Sequence, residues 1–340
     1  PWLPTPTVPF SRAESGVEPA GPEPVAGAPE AVEEAASDQL SGTVTLHNAN
    51  WKSDALAGHV EIAQATLHLG GEALVWDPVV FSYGPVKGTA SLQVPLACAP
   101  DALCPPQLEM HFAELDAGKL QAALLGAQKP NTLLSTLLAN LTTSKPAVWP
   151  RIDAAVQADA LVLGPVTLRD AAATLRILPA GAEITSFNAG LLGGQIHATG
   201  TLAQGEKPFY ELDGDFDQLS GPEVCQLLAL HCKGGAVEGN GKVELSGFTD
   251  KDLASSAKGT MHFEWRRGEI ERAKGSEVPA ALARFDRWTA DGTIADGAVT
   301  LEQSQVQQGR RKSEVEAAVT FGDPSKVTFA APRPAQAAKR

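Results

Sequence analysis

Two stretches of the sequence, Gly241-Lys-Val-Glu-Leu-Ser246 and Gly259-Thr-Met-His-Phe-Glu-Trp265, decide the class of fold. In both stretches apolar and polar side chains alternate with a period of two. Such alternation places one row of side chains on an apolar face and the other row in water. The same pattern occurs near both ends of the chain, at 43–47 and at 315–321. It predicts antiparallel, half-exposed strands, because strands of a buried parallel sheet are apolar throughout.

A loose repeat accompanies this alternation. Glycine followed by polar, apolar, polar and apolar residues occurs six times, at Gly42, Gly58, Gly88, Gly241, Gly259 and Gly297. We interpret each glycine as a turn residue that starts a new strand, and Gly239-Asn-Gly241 as a turn. The irregular intervals exclude a solenoid of short repeats. The prediction is a mainly β protein, built as a long curled antiparallel sheet that forms an open apolar groove, with a few short helices.

Three segments interrupt the strand pattern with helical spacing. Leucines recur along one face of 131–141 after Asn131, a residue that is favoured as a helix cap. The segment 221–230 has a proline at an early position, and 279–288 carries Leu282, Phe285 and Trp288. We expect three short helices that cover part of the apolar face or act as ordinary connectors.

Composition excludes several classes of function. The chain has 340 residues, 43 % of them hydrophobic, and a formal net charge of −13. An acidic chain is a poor binder of nucleic acid, because phosphate recognition depends on clustered Lys and Arg. No stretch approaches the roughly 20 apolar residues that a membrane-spanning helix needs. With 32 glycines and 25 prolines, the chain is typical of short strands and many turns.

The sequence divides into four parts. Residues 1–40 are rich in Pro and Glu and are expected to be a flexible linker, since they contain little apolar bulk. The sheet follows in two parts, 41–146 and 147–332, and 333–340 is expected to be a disordered tail. Because the chain starts with Pro1, we interpret it as a piece of a longer protein or as the product of leader removal.

Four cysteines form two close pairs, Cys98 with Cys104 and Cys225 with Cys232. In an oxidising compartment each pair could close a short disulfide loop, and in a reducing compartment all four would be small apolar side chains. A zinc site at Cys225, His231 and Cys232 lacks a fourth ligand in sequence. Motifs for nucleophilic, metal-dependent or nucleotide-dependent catalysis are missing, so no catalytic residue, metal or cofactor is assigned.

Three aspartates, Asp213, Asp215 and Asp217, are spaced by two and are expected to point to one side of a strand. A solvated sheet edge explains them better than a calcium site does, because charges at an edge also prevent pairing between sheets.

Several longer stretches together resemble the C-terminal region of AsmA-family proteins of the bacterial envelope. They are Val166-Thr-Leu-Arg-Asp-Ala-Ala-Ala-Thr-Leu-Arg-Ile177 followed by 184–202 with its paired glycines, Gly239-Asn-Gly-Lys-Val-Glu-Leu-Ser-Gly247, the strand after Gly259, and Asp291-Gly-Thr-Ile-Ala-Asp-Gly-Ala-Val-Thr-Leu301. The segment 41–94 is similar in style and includes Trp51 and a turn at Asp77-Pro-Val-Val-Phe81. The likeness covers most of 41–330.

The resemblance implies a non-enzymatic periplasmic protein that holds or conducts phospholipid acyl chains in an apolar β-groove. It further implies an inner-membrane anchor upstream of this chain, a part in outer-membrane lipid homeostasis and assembly, and contacts with other envelope proteins. A sheet that is apolar on one face must cover that face with other protein layers or a ligand, which is consistent with such a groove. The expected lining residues are Ile184, Ile196, Val243, Leu245, Met261 and Phe263.

Two alternatives belong to other classes of protein. In the first, the same apolar residues form a closed β core, and the chain is a scaffold that binds envelope proteins through its acidic surface. In the second, a β-rich glycan hydrolase carries a pair of carboxylates that converge in a cleft.

Overall fold

The structure is a computed structural model that describes residues 41–52, 58–98, 104–116, 118–120, 151–163, 166–179, 181–203, 209–247, 250–271, 278–320 and 326–330. All of them belong to one unit, 40–340. The predicted linker 1–40, the helix 131–141 and the tail 333–340 lie outside the described residues.

The described residues form eighteen strands of a single sheet. The strands are β1 (Gly42–Lys52), β2 (His59–Leu69), β3 (Ala73–Tyr83), β4 (Val86–Pro95), β5 (Gln107–Asp116), β6 (Ile152–Leu163), β7 (Val166–Leu178), β8 (Gly181–Leu191), β9 (Gly194–Ala203), β10 (Phe209–Ser220), β11 (Cys232–Lys233), β12 (Ala236–Ser246), β13 (Lys258–Ile270), β14 (Phe285–Ala295), β15 (Ala298–Gln308), β16 (Arg311–Glu314), β17 (Glu316–Thr320) and β18 (Lys326–Ala330). The remaining elements are two short α-helices, α1 (Gly221–Leu227) and α2 (Asp250–Ser256), a helical stretch at 118–120 and a 3₁₀ turn at Ala280–Leu282. The prediction of a mainly β protein with few short helices is confirmed.

The strands follow one another across the sheet in chain order. Each of β1 to β9 pairs with the next strand, and the ladder continues from β10 through β12, β13, β14, β15, β17 and β18. β11 pairs with β13 beyond the end of β12, and β16 pairs with β15 beside β17. The long open antiparallel meander is therefore confirmed, with one difference. β5 and β6 run parallel, so the two predicted parts of the sheet join through a parallel pair.

Register places the apolar side chains of neighbouring strands on one common face. Across β10, β12 and β13, for example, Phe216 faces Gly239, which faces Phe263. The alternate positions carry charged or hydroxyl side chains on the outer face. Side chains opposite each other in a ladder share a face, so the apolar rows continue from strand to strand.

Bulges preserve this arrangement where the alternation would otherwise fail. Asp170 and Gln218 have positive φ angles, 49° and 57°, and the ladders shift register next to both residues. An extra residue at a bulge re-aims the following side chains and increases the local bend of the strand. Ala171 and Leu219 thereby return to the apolar face, where both are buried.

The helices differ in part from the sequence prediction. The helix expected at 221–230 is present as α1 and ends at Leu227. The prediction of a helix at 279–288 is wrong beyond residue 282. Ala280–Leu282 form a 3₁₀ turn, and β14 begins at Phe285. Phe285 and Trp288 are both buried in the same apolar core, although they are strand residues.

Three turn predictions are wrong because the residues lie inside strands. Gly88 and the Gly239-Asn-Gly241 segment are interior to β4 and β12. The Asp77-Pro78 segment lies within β3, where the ladder to β4 shifts between Trp76 and Val79. Proline has no N–H to donate to a ladder, and it is therefore accommodated at such irregular positions.

The buried residues form two apolar clusters on this face. The first cluster contains Val86, Phe112, Ala158, Leu168, Ala171 and Ala189 from β4 to β8. The second is larger and extends from β10 to β17, with Trp265, Trp288 and Val306 among its members. Leu191 and Ile196 pack against both clusters, so they join the two halves of the core.

Candidate functional site

The apolar face carries a shallow concavity of about 280 Å³ between β9 and β14. The apolar side chains that line it are Ile196, Phe216, Val243, Met261 and Ile294. They come from five strands that are neighbours in the ladder, β9, β10, β12, β13 and β14. The meander therefore assembles this site from residues that are up to 98 positions apart in the chain.

All six predicted lining residues lie on the apolar face, but they are not equivalent. Ile196, Val243 and Met261 line the concavity together. Leu245 lies two residues beyond Val243 on β12, facing Tyr210. Ile184 lies on β8 and faces Gly200 of β9. All five of these side chains are partly exposed.

Phe263 differs from the other five predicted residues. It is only 8 % exposed and makes an edge-to-face contact with Trp288, with 5.2 Å between ring centroids. A side chain that is packed in this way belongs to the core of the second cluster. Phe263 is therefore a core residue and does not line the concavity.

Glycines provide the space for the large side chains of this site. The ring of Phe216 lies over Gly239, where an added Cβ would be 2.6 Å from its Cζ atom. Met261 fills the position over Gly292 in the same way, since its Cγ atom would lie 2.7 Å from an added Cβ. Glycine in a strand commonly marks such a close approach. Of these two glycines, Gly239 is one that the sequence pattern assigned to a turn.

Tyr210 places a polar hydroxyl group on the apolar face of the sheet. It lies on the same face as Leu212, between Leu202 of β9 and Leu245 of β12. Its hydroxyl is buried and has no hydrogen-bond partner among the residues that the structure describes. Burial raises the pKa of this phenol to about 12.

An aromatic cluster closes the apolar face at one end of β13 and β14. Trp265 contacts Phe285 edge-to-face at 5.1 Å and stacks on Trp288 at 6.1 Å. The indole N–H of Trp288 donates a hydrogen bond of 2.8 Å to the hydroxyl of Ser304, which is also buried. Aromatic pairs of this geometry stabilise a core beyond their buried area, so this end is rigidly filled.

The outer face is polar and is covered by ion pairs between neighbouring strands. Lys242 reaches Asp213 at 2.5 Å, and His262 reaches Asp291 at 2.7 Å. The hydrogen bond to Asp213 raises the pKa of Lys242. The three aspartates of β10 do share one side, as predicted. The interpretation as a sheet edge is wrong, because β10 lies between β9 and β12.

Each cysteine pair is joined as a disulfide in the structure, Cys98 to Cys104 and Cys225 to Cys232. Cys225 is buried in the second cluster, whereas Cys98 is exposed. In the described part of the chain, no group of three or more His, Cys, Asp or Glu side chains is arranged to hold a metal ion.

Sequence reasoning missed Phe216 and Ile294 as residues of this site, and it did not single out Tyr210, which lies outside the lining of the concavity. Phe216 and Ile294 alternate correctly in their strands, so the period-two pattern alone could have placed them on the apolar face. For Tyr210 no such signal exists, because the burial of its hydroxyl depends on side chains from other strands.

Comparison with protein-family models, with curated proteins and with solved structures found no match. Among the described residues there is no helix with the length and apolar character needed to span a membrane.

Proposed function

We propose that this chain is a non-enzymatic lipid-binding protein of the AsmA type, which holds or conducts phospholipid acyl chains along the apolar face of its sheet. The observation that carries the proposal is the concavity lined by Ile196, Phe216, Val243, Met261 and Ile294. Covering such a surface with an acyl chain is favourable, at roughly 25 cal/mol for each Å² of apolar area removed from water.

The exposure of the first strand supports the same function. Val44 and Trp51 lie on the apolar face of β1 and are 43 % and 50 % exposed. They face Leu67 and Val60 of β2, so the apolar surface continues to the margin of the sheet. A contiguous apolar surface of this kind is typical of interaction with lipid or with another protein.

We place the protein in the periplasm, tethered to the inner membrane through an anchor upstream of this chain and active in outer-membrane lipid homeostasis. The two disulfides support an oxidising compartment, because such bonds are rare in the cytosol. Contacts with other envelope proteins belong to the same proposal.

The experiment compares the purified chain with two variants that introduce the same charge. Val243→Asp places a carboxylate in the concavity, and Thr199→Asp places one on the exposed outer face of β9. All three proteins are first shown to be folded by circular dichroism. Native mass spectrometry then measures binding of a diacyl phosphatidylglycerol. We expect the parent and Thr199→Asp to bind equally and Val243→Asp to bind at least tenfold less.

A closed scaffold is the second candidate, favoured by the second cluster. Leu282 and Val306 are completely buried there, so that end of the apolar face needs no ligand. If the folded parent binds no phospholipid, the lipid proposal is rejected and the scaffold remains.

A further inference from the structure

β1 lies at the margin of the sheet, and its outer edge has no partner among the described strands. It has eleven residues, and ten of them are exposed in the complete chain. The apolar side chains of Val44, Leu46 and Trp51 are 43 %, 37 % and 50 % exposed. A long edge strand presents a row of backbone N–H and C=O groups that can pair with a further strand.

β1 lacks the features that usually prevent an edge strand from pairing. Natural edge strands are often short, or they carry lysine or proline. β18, at the other margin of the described sheet, has only five residues and begins with Lys326. β1 contains no proline, and its one lysine, Lys52, is the last residue. Its edge is therefore suited to pairing with another uncharged strand.

The charge of β1 bears on the kind of partner. The chain has a formal net charge of −13, so two copies repel each other over most of their surfaces. β1 contains no Asp or Glu, and a contact between two copies of β1 brings no carboxylates together. This strand is thus a place where two copies of an acidic chain can meet.

The apolar residues of β1 are also placed symmetrically about its midpoint. Val44 and Leu46 precede the midpoint, Ala49 and Trp51 follow it, and all four face apolar residues of β2. Asn48, with a φ angle of 52°, lies between the two halves, so residues 46 and 49 share a face although they are three positions apart. A two-fold axis at this midpoint brings Val44 of one copy opposite Trp51 of the second copy, and Leu46 opposite Ala49.

We infer that β1 is the interface of a symmetric dimer, in which it pairs antiparallel with β1 of a second copy of this chain. Thr45 then faces Asn50 of the second copy on the polar face. The apolar faces of the two copies lie on the same side and form one continuous surface. One pair of eleven-residue strands, about 37 Å long, is a small interface, so we expect a dissociation constant on the order of 10 μM. The inference does not depend on lipid binding.

The test places charges at the expected contact of Thr45 with Asn50, two exposed positions of β1. The variant Thr45→Lys/Asn50→Lys brings ammonium groups opposite each other in the dimer, and Thr45→Glu/Asn50→Glu brings carboxylates opposite each other. Sedimentation velocity over a dilution series measures self-association. We expect the parent to dimerise and each double variant to dimerise at least tenfold more weakly. An equimolar mixture of the two variants is expected to dimerise at least as tightly as the parent, which also shows that both are folded.

Thr199→Lys/Thr201→Lys is the matched control. It adds the same charge at exposed positions of β9, a strand that is paired on both sides. Its dissociation constant is expected to equal that of the parent within twofold.

Amide hydrogen exchange provides a second readout. At concentrations tenfold below the dissociation constant, β1 is expected to exchange rapidly. At concentrations tenfold above it, exchange in β1 is expected to slow, because its outer N–H groups are then bonded to the second copy. Exchange in β13, which pairs with β12 and β14, is expected to be the same at both concentrations.

Four outcomes would overturn the inference. They are a parent that stays monomeric at ten times the expected dissociation constant, a lysine variant that dimerises like the parent, a mixture of the two variants that does not dimerise, and slow exchange in β1 that is independent of concentration. The last result would mean that another part of the same chain covers the edge. Phospholipid binding is measured separately, so the proposed function can stand when the dimer fails.

Discussion

Glu264 is a charged residue that is only 7 % exposed, although it lies in the polar row of β13. Its carboxylate accepts hydrogen bonds from the guanidinium groups of Arg266 and Arg287. Desolvation raises the pKa of this carboxyl, but the two arginines outweigh it, and the net pKa lies below the usual value of 4.5. The two guanidinium groups thus hold the carboxylate ionised at the covered end of the sheet.

The pH dependence of stability follows from this shift. A carboxyl whose pKa is lower in the folded state than in the unfolded state stabilises the fold above about pH 4.5, and this contribution is lost as the pH falls through the folded value. We expect Glu264→Gln to lower the free energy of unfolding by about 1 kcal/mol at pH 7, since both arginines are exposed and screened by solvent. Urea denaturation should show a smaller difference at pH 3.5. A difference that grows toward low pH would contradict this, and Glu244→Gln on the exposed side of β12 is the control.

At the scale of elements, α1 and β11 form the covering layer of the second cluster. The disulfide Cys225–Cys232 ties the helix to β11, which pairs with the end of β13. The backbone N–H of Gly221 also donates to the carbonyl of Gly235, at 3.1 Å. A seven-residue helix is too short to be stable alone. Its position therefore depends on the disulfide and on burial of Cys225, which is 1 % exposed.

The two disulfides are expected to differ in their effect on stability. Both close short loops, with sequence separations of 6 and 7, so their chain-entropy contributions are similar, at about 2–3 kcal/mol. Replacing Cys225 and Cys232 by alanine should cost more than replacing Cys98 and Cys104, because it also leaves a small void in the core. Urea denaturation of the two double variants measures this. Equal losses in the free energy of unfolding would show that burial of Cys225 adds nothing to stability.

At the scale of the whole molecule, burial is uneven along the sheet. β13 to β15 carry several nearly inaccessible side chains, including Trp265, Ala290 and Val306. None of the described β1 residues is buried, and among the described strands β1 pairs with β2 alone. Strands with few buried contacts open at a lower free-energy cost than the strands of the core.

Amide hydrogen exchange should follow this gradient. We expect the slowest exchange in β13 and β14 and the fastest in β1, with a difference of at least a hundredfold in protection. Mass spectrometry of peptic peptides from the purified chain resolves these strands. Added phospholipid is expected to slow exchange in β9, β10 and β12, three of the five strands that line the concavity, while β15, which does not line it, serves as the internal reference. Uniform protection across the sheet would contradict the gradient.

The sequence by itself determined the strands and their common apolar face. The reason is local, because alternation with a period of two orients each side chain relative to its own backbone. Val243, Leu245 and Met261 could be assigned to that face without knowledge of any partner strand. The two cysteine pairs could also be predicted from the sequence, since the members of each pair are only six or seven residues apart.

Only the tertiary structure decided which part of that face is filled and which part is open. Phe263 and Val243 follow the same pattern, yet Phe263 is buried under Trp288 while Val243 lines the concavity. Gly239 lies inside a strand because the ring of Phe216 needs its space. Tertiary contacts likewise decide the parallel pairing of β5 with β6 and the burial of the Tyr210 hydroxyl. Each of these features depends on contacts between residues that are distant in the chain, which a pattern within one strand does not encode.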